Sequence, residues 1–273
     1  MGVMTQPYVA ASSYLNTAPL CYSFIHGSQK DRCRFLSDAA PARCADLLAE
    51  GRADAALIPV IEYQRIPGLT VAAGACVASR TSVRSVVLAS RVPIEQVKRV
   101  TLDVSSRTSA ALVQIILSRF YGLAPEYRVA PPKIDRMLES SDAALIIGDP
   151  AMLIDRSSLL VYDMAEEWRK HTGLPFVFAF WAMRNQMAPR FGRRLPGAVD
   201  FEDARREGVA NISNIVEAYS RSLGLSAEDL TVYLTENISF ELDSDCLQAV
   251  TLYYRLAHEA RLIDSVVELT FQE

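Results

Sequence analysis

The sequence predicts an α/β protein built from two related lobes with a ligand cleft between them. Three observations predict this fold. The pentapeptide Asp-Ala-Ala-Leu-Ile occurs twice, at 54–58 and 142–146. Each copy follows the same predicted order of strand, turn, helix, strand and helix. Two further apolar strands, Val86 to Ala89 and Phe176 to Ala182, lie where we expect the chain to cross between the lobes.

The first lobe begins with a short apolar run and a polar turn, and then alternates helices with strands. Pro41 begins a helix and Gly51 ends it, because proline suits the first helical turn and glycine the residue after the last. In chain order the predicted elements are a strand at 7–11, a turn at 12–13, a helix through Leu20 and Ile25, a strand at 34–36, a helix from Pro41 and a buried strand at 54–59.

The second lobe repeats this order. A helix that begins at Thr108 places Leu112, Ile115 and Ile116 on one face and ends at Gly122. In chain order the predicted elements are a strand at 100–104, a turn at 105–107, this helix, a strand at 127–129, a helix at 134–138 and the strand of the second pentapeptide.

The rest of the chain is predicted to be mostly helical. Asp163 begins a helix with Glu166 three residues later, as in a capping box, and Gly173 ends it. After the apolar strand, helices are predicted at 201–223, after Ser226, and at 244–262.

This helical tail adds no predicted sheet, so we expect it to pack on the first lobe. The chain then crosses between the lobes twice. The predicted first lobe consists of 1–89 and 183–273, and the predicted second lobe of 90–182. Ligands of such proteins bind in the cleft, near helix amino termini.

The turn Ser105-Ser106-Arg107-Thr108-Ser109 is the strongest candidate for binding chemistry. It lies where a strand gives way to a helix, so free backbone N–H groups and hydroxyls are expected to face the cleft. Such a turn binds a carboxylate or phosphate without a glycine loop. Helix capping explains one hydroxyl, whereas this turn has four in five residues. We therefore predict an anion site formed by Ser105, Ser106, Thr108 and Ser109.

Other polar residues have both a binding and a structural interpretation. Ser12 and Asn16 form the equivalent turn of the first lobe, where helix capping explains them equally well. Ser79 to Ser85 is a third hydroxyl-rich stretch before a crossover strand. Gly148-Asp149 follows the second pentapeptide, and Asp149 either reaches the cleft or caps a helix. Phe178 either stacks on a ligand ring or packs in the core.

Composition and missing motifs exclude several classes of protein. The chain of 273 residues has a formal net charge of -4, which argues against a nucleic-acid partner. Its three histidines lack metal-ligand spacing, and no glycine-rich nucleotide motif occurs, so neither a metal nor a cofactor is expected.

Cysteine usage and the leading residues bear on location. The five cysteines are far apart and include no CxxC pair, which is typical of free thiols in a reducing compartment. The first residues do not resemble a signal peptide, and no apolar stretch reaches membrane-spanning length. We expect a cytoplasmic protein without a membrane partner, as a monomer or weak homodimer.

Four segments resemble the chorismate dehydratases of the futalosine route to menaquinone. They are SYLNTAPL at 13–20, DVSSRTSAAL at 103–112, IGDPA at 147–151 and WRKHTGLPFVFA at 168–179. These segments also keep the order and spacing of that family. The resemblance implies a two-lobed fold of the periplasmic-binding-protein type (type II) and a lyase (hydro-lyase) activity on the small molecule chorismate.

The family reaction removes water from chorismate to give 3-[(1-carboxyvinyl)oxy]benzoate. The resemblance implies that Asn16 and Ser85 are catalytic, orienting one side of the substrate and assisting the leaving hydroxyl. The anion turn holds a substrate carboxylate on the other side. The proton acceptor stays open between the substrate's own enolpyruvyl carboxylate and Asp149. The full set of implied substrate contacts is Ser12, Ser79, Ser105, Ser106, Thr108, Ser109, Gly148, Asp149 and Phe178.

Two alternative functions and one departure from the family pattern remain. Arg80-Thr81-Ser82 stands where the family is expected to have a more acidic, glycine-containing turn. A 1,4-dihydroxy-6-naphthoate synthase-like enzyme of the same pathway requires a cleft histidine where this chain has Gly148-Asp149-Pro150. A non-catalytic small-anion-binding protein normally carries an export signal or, in a regulator, a DNA-binding segment.

Overall fold

The computed structural model describes residues 6–192 and 197–272, which form two five-stranded mixed sheets packed with helices. The strands are β1 (Tyr8–Ser12), β2 (Arg34–Asp38), β3 (Ala55–Pro59), β4 (Leu69–Ser79), β5 (Val86–Ser90), β6 (Arg99–Asp103), β7 (Glu126–Ala130), β8 (Ala143–Ile147), β9 (Leu160–Asp163) and β10 (Phe176–Arg184). The α-helices are α1 (Ala18–Ile25), α2 (Pro41–Ala49), α3 (Thr108–Ile115), α4 (Ile134–Leu138), α5 (Asp149–Met152), α6 (Met164–Thr172), α7 (Phe201–Ala210), α8 (Ile212–Leu223), α9 (Ala227–Val232) and α10 (Ser244–Glu259). Short 3₁₀ or π-helical turns lie at Leu15–Thr17, Val60–Gln64, Ile94–Gln96, Ile116–Phe120, Asn185–Arg190 and Tyr233–Asn237.

The two sheets have the same internal order. The first is β2-β1-β3-β10-β4 and the second is β7-β6-β8-β5-β9. In each sheet the first three strands are parallel, and the fourth and fifth join by antiparallel pairing. The repeated pentapeptide forms β3 and β8, the central strands, and both are buried along their full length. The predicted relationship between the lobes is therefore confirmed at the level of sheet order.

The crossover strands are divided between the sheets in a way that changes the predicted lobe boundaries. β5 was predicted to end the first lobe but lies in the second sheet. β10 was predicted to end the second lobe but lies in the first sheet, between β3 and β4. Their backbones pair with the strands of those sheets along most of their length, so the chain changes lobe before each strand. We therefore propose boundaries within 80–85 and 164–175.

Several elements differ from the sequence-based prediction. β4 and β9 are edge strands that hydrophobic pattern did not indicate. The single helix predicted at 201–223 is divided at Asn211, which has non-helical backbone angles of φ -113° and ψ 23°. Asp163 caps α6 as predicted, because its carboxylate accepts from the Ala165 and Glu166 N–H groups.

The carboxyl-terminal tail contacts both lobes. α7 packs on α1 and β4, as predicted for the first lobe. α10, however, contacts β10 and also α3 of the second lobe. The tail also extends the first sheet locally, since Ser239 bridges Ala78 and Phe271 bridges Val71. None of the described helices combines the length and apolar character needed to cross a bilayer.

Candidate functional site

A cavity of about 510 Å³ lies between the two sheets, where the carboxyl ends of the parallel strands face each other. Apolar side chains supply walls on both sides, and polar side chains from two turns supply hydrogen-bonding groups. The lining residues are Ser12, Tyr14, Asn16, Thr17, Pro41, Leu57, Pro59, Val77, Val86, Ser106, Arg107, Thr108, Ser109, Ile147, Gly148, Phe178 and Ala179.

The amino terminus of α3 forms one polar wall of the cavity. Ser106, Thr108 and Ser109 line it, and none of these side chains is exposed to bulk solvent. The first N–H groups of a helix have no partner within the helix and carry partial positive charge. The Thr108 hydroxyl accepts from the Ile61 N–H at 3.3 Å, which leaves its own hydrogen available. This wall therefore presents neutral hydrogen-bond donors, the kind of group that can bind an anion.

Ser105 has a different role from the predicted one. Both its N–H and its hydroxyl donate to Asp103 Oδ1, at 2.9 and 2.7 Å. Asp103 also accepts from the Ile147 N–H and is only 1% exposed. Burial raises the pKa of Asp103, while the bonds from Ser105 and Ile147 oppose that rise. Ser105 therefore fixes the turn from beneath and does not line the cavity.

Arg107, in the middle of the same turn, is held by two carboxylates of the first lobe. Its guanidinium donates to Glu62 Oε2 and to Asp46 Oδ1, both at 2.6 Å. Glu62 is also buried, with 4% of its surface exposed. Because each hydrogen bond joins one lobe to the other, Arg107 ties the lobes together beside the cavity. Its charge is neutralised by these partners.

The turn after β1 forms the opposite polar wall. Thr17 is buried, and its hydroxyl donates to the carbonyl oxygens of Ser12 and Tyr14 at 2.7 and 2.8 Å. These bonds shape the short helix Leu15–Thr17 so that Asn16 lines the cavity. Ser12 and Asn16, both predicted from sequence, therefore face the α3 wall across one cavity.

The ring of Tyr14 in the first lobe packs against the backbone of Gly148 in the second lobe. Gly148 has φ 68° and ψ -153°, a backbone conformation that residues other than glycine very rarely adopt. A Cβ atom added to Gly148 would lie 2.6 Å from Tyr14 Cε2. Glycine is therefore required here both by its backbone conformation and by the ring packed against it.

Asp149 joins the second lobe to the first-lobe turn. Its Oδ1 accepts from the Leu15 N–H at 3.0 Å. Burial raises the pKa of Asp149 from 3.8 to about 6, and the Leu15 bond only partly opposes this rise. Asp149 also occupies the first turn of the short helix α5, but it does not line the cavity. Asp149 therefore neither caps α5, whose N-cap is Gly148, nor lines the cavity; its carboxylate instead joins the two lobes through the Leu15 N–H.

Replacing Asp149 by Asn should stabilise the ligand-free protein, and increasingly so with rising pH. Below pH 4 the Asp149 carboxyl is protonated in both the folded and the unfolded protein, so its raised pKa costs no stability. As pH rises from 4 through 6, the unfolded protein loses this proton more readily than the folded one, and the folded protein is progressively destabilised. At about 1.4 kcal/mol for each pKa unit, the cost avoided by asparagine reaches at most about 3 kcal/mol near neutral pH. Asn keeps an acceptor for Leu15. Denaturant unfolding of both proteins at pH 4.5 and 7.5 measures the difference.

Asp155→Asn is the matched control for that measurement. Asp155 is exposed, and bonds from the Ser157 N–H and hydroxyl lower its pKa. Its carboxylate favours folding above its ordinary pKa, so asparagine should destabilise at the higher pH, opposite in sign to Asp149→Asn. A stability difference for Asp149→Asn that stays constant between the two pH values contradicts the argument.

Three other predicted residues occupy distinct environments. Phe178 lines the cavity and is 8% exposed, in accord with a ring-stacking role. Ser79 is buried at the end of β4, paired with Phe176 of β10, and its hydroxyl has no hydrogen-bond partner in the described part of the chain. Ser85 is fully buried just before β5 and accepts a hydrogen bond from Tyr233 at 2.6 Å. Ser79 and Ser85 are therefore next to the cavity without lining it.

The departure at Arg80-Thr81-Ser82 has a structural explanation. Arg80 forms an ion pair with Asp243 at the start of α10, and its carbonyl accepts from Arg169. Ser82 accepts from the Asn237 amide. These contacts hold the turn against the carboxyl-terminal tail.

Sequence reasoning missed four residues of this region: Tyr14, Thr17, Arg107 and Tyr233. Tyr14 and Thr17 belong to the segment SYLNTAPL that was noted for other reasons. Arg107 stood in the predicted anion turn but was given no role. No local signal marks Tyr233, because its partner Ser85 is 148 residues away in sequence.

Comparison with known proteins connects this site to a family. A family model described as menaquinone biosynthesis matches residues 7–259. A chorismate dehydratase from Thermus thermophilus is 30% identical to this chain over 250 residues, which cover 84% of this chain and 88% of that protein.

Solved structures show the fold. A protein from Archaeoglobus fulgidus matches with a TM-score of 0.72 at 19% identity, over 94% of this chain and 98% of its own. The periplasmic aliphatic sulphonate binding protein SsuA from Escherichia coli matches with a TM-score of 0.65 at 15% identity, over 98% and 94%. The alkanesulfonate-binding protein SsuA from Xanthomonas axonopodis pv. citri, bound to MOPS, matches with a TM-score of 0.69 at 14% identity, over 96% of both chains. The predicted two-lobed fold of the periplasmic-binding-protein type is confirmed.

Proposed function

The chain belongs to the menaquinone biosynthesis family, and we propose that it is a chorismate dehydratase that converts chorismate to 3-[(1-carboxyvinyl)oxy]benzoate and water. One observation carries the proposal. Asn16 from the first-lobe turn and the hydroxyl-rich start of α3 line the same cavity between the lobes, and most of the remaining lining is apolar. This arrangement suits a flat ring that carries carboxylates. The similarity to a named chorismate dehydratase supports the same substrate.

The α3 wall suits the charge that develops in the reaction. Removal of the proton from the ring carbon that bears the enolpyruvyl ether leaves a dienolate that extends into the ring carboxylate. In the proposal, Ser106, Thr108 and Ser109 bind this carboxylate with the free N–H groups of α3. Each well-placed donor stabilises such an anion by about 3–4 kcal/mol in the transition state. Ser105 would act indirectly, by holding the turn through Asp103.

Departure of the neighbouring hydroxyl completes the reaction. The electron pair of the dienolate expels this hydroxyl, the ring becomes aromatic, and the abstracted proton leaves with the hydroxide as water. In the proposal, Asn16 donates a hydrogen bond to the leaving hydroxyl from the cavity lining, and Ser85 donates to it from just behind the lining, next to Val86. Gly148 and Phe178 line the space around the ring. Ser12 contacts the enolpyruvyl side, and Ser79 and Asp149 act from just outside the cavity.

A direct assay tests the proposed function. Purified protein is mixed with chorismate, and the aromatic product is followed by its absorbance and identified by mass spectrometry. We expect one product molecule and one water for each chorismate consumed. A binding protein would return chorismate unchanged, and that result would overturn the proposal. A variant with both Thr108→Val and Ser109→Ala should bind chorismate much more weakly, because it removes two hydroxyls from the α3 wall.

The identity of the base requires a separate experiment. We propose that the enolpyruvyl carboxylate of the substrate takes the ring proton, because the described cavity lining contains no carboxylate side chain. A chorismate analogue whose enolpyruvyl carboxylate is an amide should bind but fail to react. Normal turnover of this analogue, together with loss of activity in Asp149→Asn, would assign the base to Asp149 instead.

We also propose a cytoplasmic location and a monomeric or weakly dimeric state. All five cysteines are buried and unpaired, which suits a reducing compartment. Size-exclusion chromatography with light scattering measures the mass in solution, and thiol titration of the unfolded protein counts the free cysteines.

A further inference from the structure

The linker 80–85, where the chain passes from the first sheet to the second, is held by one face of the helix that begins at α9. This helix continues as the π-helical turn Tyr233–Asn237. Asp229, Tyr233 and Asn237 follow one another at intervals of four residues and therefore share a face. Each of them contacts the linker, so a single helix face sets the path of the chain toward the cavity.

The contacts of this face are all polar and directed. Both carboxylate oxygens of Asp229 accept from Arg84 Nη2, Oδ1 at 2.8 Å and Oδ2 at 3.0 Å. Asn237 donates to the Ser82 carbonyl and hydroxyl, both at 3.1 Å. Tyr233, between them, donates to the Ser85 hydroxyl oxygen at 2.6 Å.

The linker has a backbone conformation that these contacts must maintain. Arg84 has φ 61°, a left-handed conformation that is unfavourable for a residue with a side chain. Its N–H donates to Asp163 Oδ2 at 2.7 Å, in addition to the ion pair with Asp229. Local strain of this kind persists where the surrounding contacts define the position tightly. The residue that follows is Ser85, whose carbonyl accepts from the N–H of cavity-lining Gly148 at 2.8 Å.

The Tyr233–Ser85 bond fixes the direction of the Ser85 hydroxyl. Both residues are completely buried, so water does not compete for this bond. Because Ser85 oxygen accepts from Tyr233, its own hydrogen is free for a different acceptor, and none is found for it in the described part of the chain. The Asn16 amide lies near the Tyr233 phenol and opposes part of the rise in the phenol's pKa that burial causes, so the phenol is close to a cavity-lining residue.

From this geometry we propose that Tyr233 is a positioning residue, which holds the Ser85 hydroxyl as a hydrogen-bond donor toward the leaving hydroxyl of the substrate. This inference rests on the proposed dehydratase function. Tyr233 does not line the cavity, and it acts only through its contact with Ser85. It exchanges no proton with the substrate.

Tyr233→Phe tests the role, because phenylalanine keeps the buried ring and removes only the hydroxyl. We expect kcat to fall about ten- to a hundredfold, as for loss of one or two directed hydrogen bonds, while KM changes less than about threefold. Tyr254→Phe is the matched control. Tyr254 is equally buried in the tail, and its hydroxyl donates to the Val60 carbonyl at 2.6 Å. It should lose similar stability and keep its kcat.

A double-mutant cycle separates positioning from general damage. Once Ser85→Ala has removed the acceptor, adding Tyr233→Phe should slow kcat by less than about twofold. Full additivity of the two substitutions overturns the inference, as does a Tyr233→Phe enzyme as fast as the wild type. A wild-type protein that does not dehydrate chorismate overturns the proposed function and this inference together. If the wild type and the Tyr254→Phe variant are both active, the kcat of Tyr233→Phe tests the role of Tyr233 separately from the proposed function.

Discussion

Asn16→Ala is expected to lower the kcat of chorismate dehydration by about 10²–10³-fold, the usual effect of removing one donor that acts in the transition state. Asn16 lines the cavity opposite the α3 wall, and its amide lies near the Tyr233 phenol. Loss of the side chain therefore removes the proposed substrate contact and a polar neighbour of Tyr233, the partner of Ser85. The fold should persist, because the short helix Leu15–Thr17 is held by Thr17 and by Asp149.

The measurement compares steady-state kinetics with unfolding by denaturant. Stability should fall by no more than about 1–2 kcal/mol, since only a half-buried polar side chain outside the apolar core is truncated. Asn214→Ala is a suitable control, because Asn214 is exposed on α8 and, within the described part of the chain, its side-chain amide hydrogen-bonds only Tyr22 and Asn211. Parallel losses of turnover and stability in Asn16→Ala would mark Asn16 as structural.

Gly148→Ala is expected to abolish measurable chorismate binding and to destabilise the protein by about 1–3 kcal/mol. Two effects add at this position. Alanine is strained at φ 68° and ψ -153°, and its Cβ would lie 2.6 Å from the Tyr14 ring. Relief requires the ring to move or the lobes to separate, and either movement displaces the turn that carries Asn16.

Gly68→Ala separates backbone strain from the contact with Tyr14. Gly68 also has a positive φ, of 70°, but a Cβ atom there would meet nothing within 4 Å. This control should lose some stability and keep chorismate binding, as measured by isothermal titration calorimetry. Unchanged affinity in Gly148→Ala would show that the close approach of Tyr14 is not needed for a formed site.

The fold was predictable where hydrophobic pattern is strong and local. β3 and β8 read directly from the repeated pentapeptide because both are buried along their length. β4 was missed because it mixes small residues with Gly74, and its pairing with β10 depends on chain far away in sequence. The break at Asn211 was missed because the flanking residues continue a helical pattern.

The site was predictable to the level of its turns but not of its individual partners. Ser12, Asn16, Ser106, Thr108 and Ser109 lie where the ends of parallel strands must converge. Ser105 and Arg107 sit in the same turn, yet Asp103 and the first-lobe carboxylates occupy their donors. Sequence cannot reveal this difference, because it arises only from packing between distant segments.

The exchange of crossover strands has a consequence for synthesis on the ribosome. All strands of the second sheet lie within residues 86–163 and can pair as soon as that stretch has emerged. The first sheet stays split until Phe176–Arg184 arrives, because β10 fills the gap between β3 and β4. The second lobe can therefore fold before the first, although its residues are translated later. The amino-terminal strands remain an incomplete sheet until β10, about a hundred residues further along the chain, has been translated.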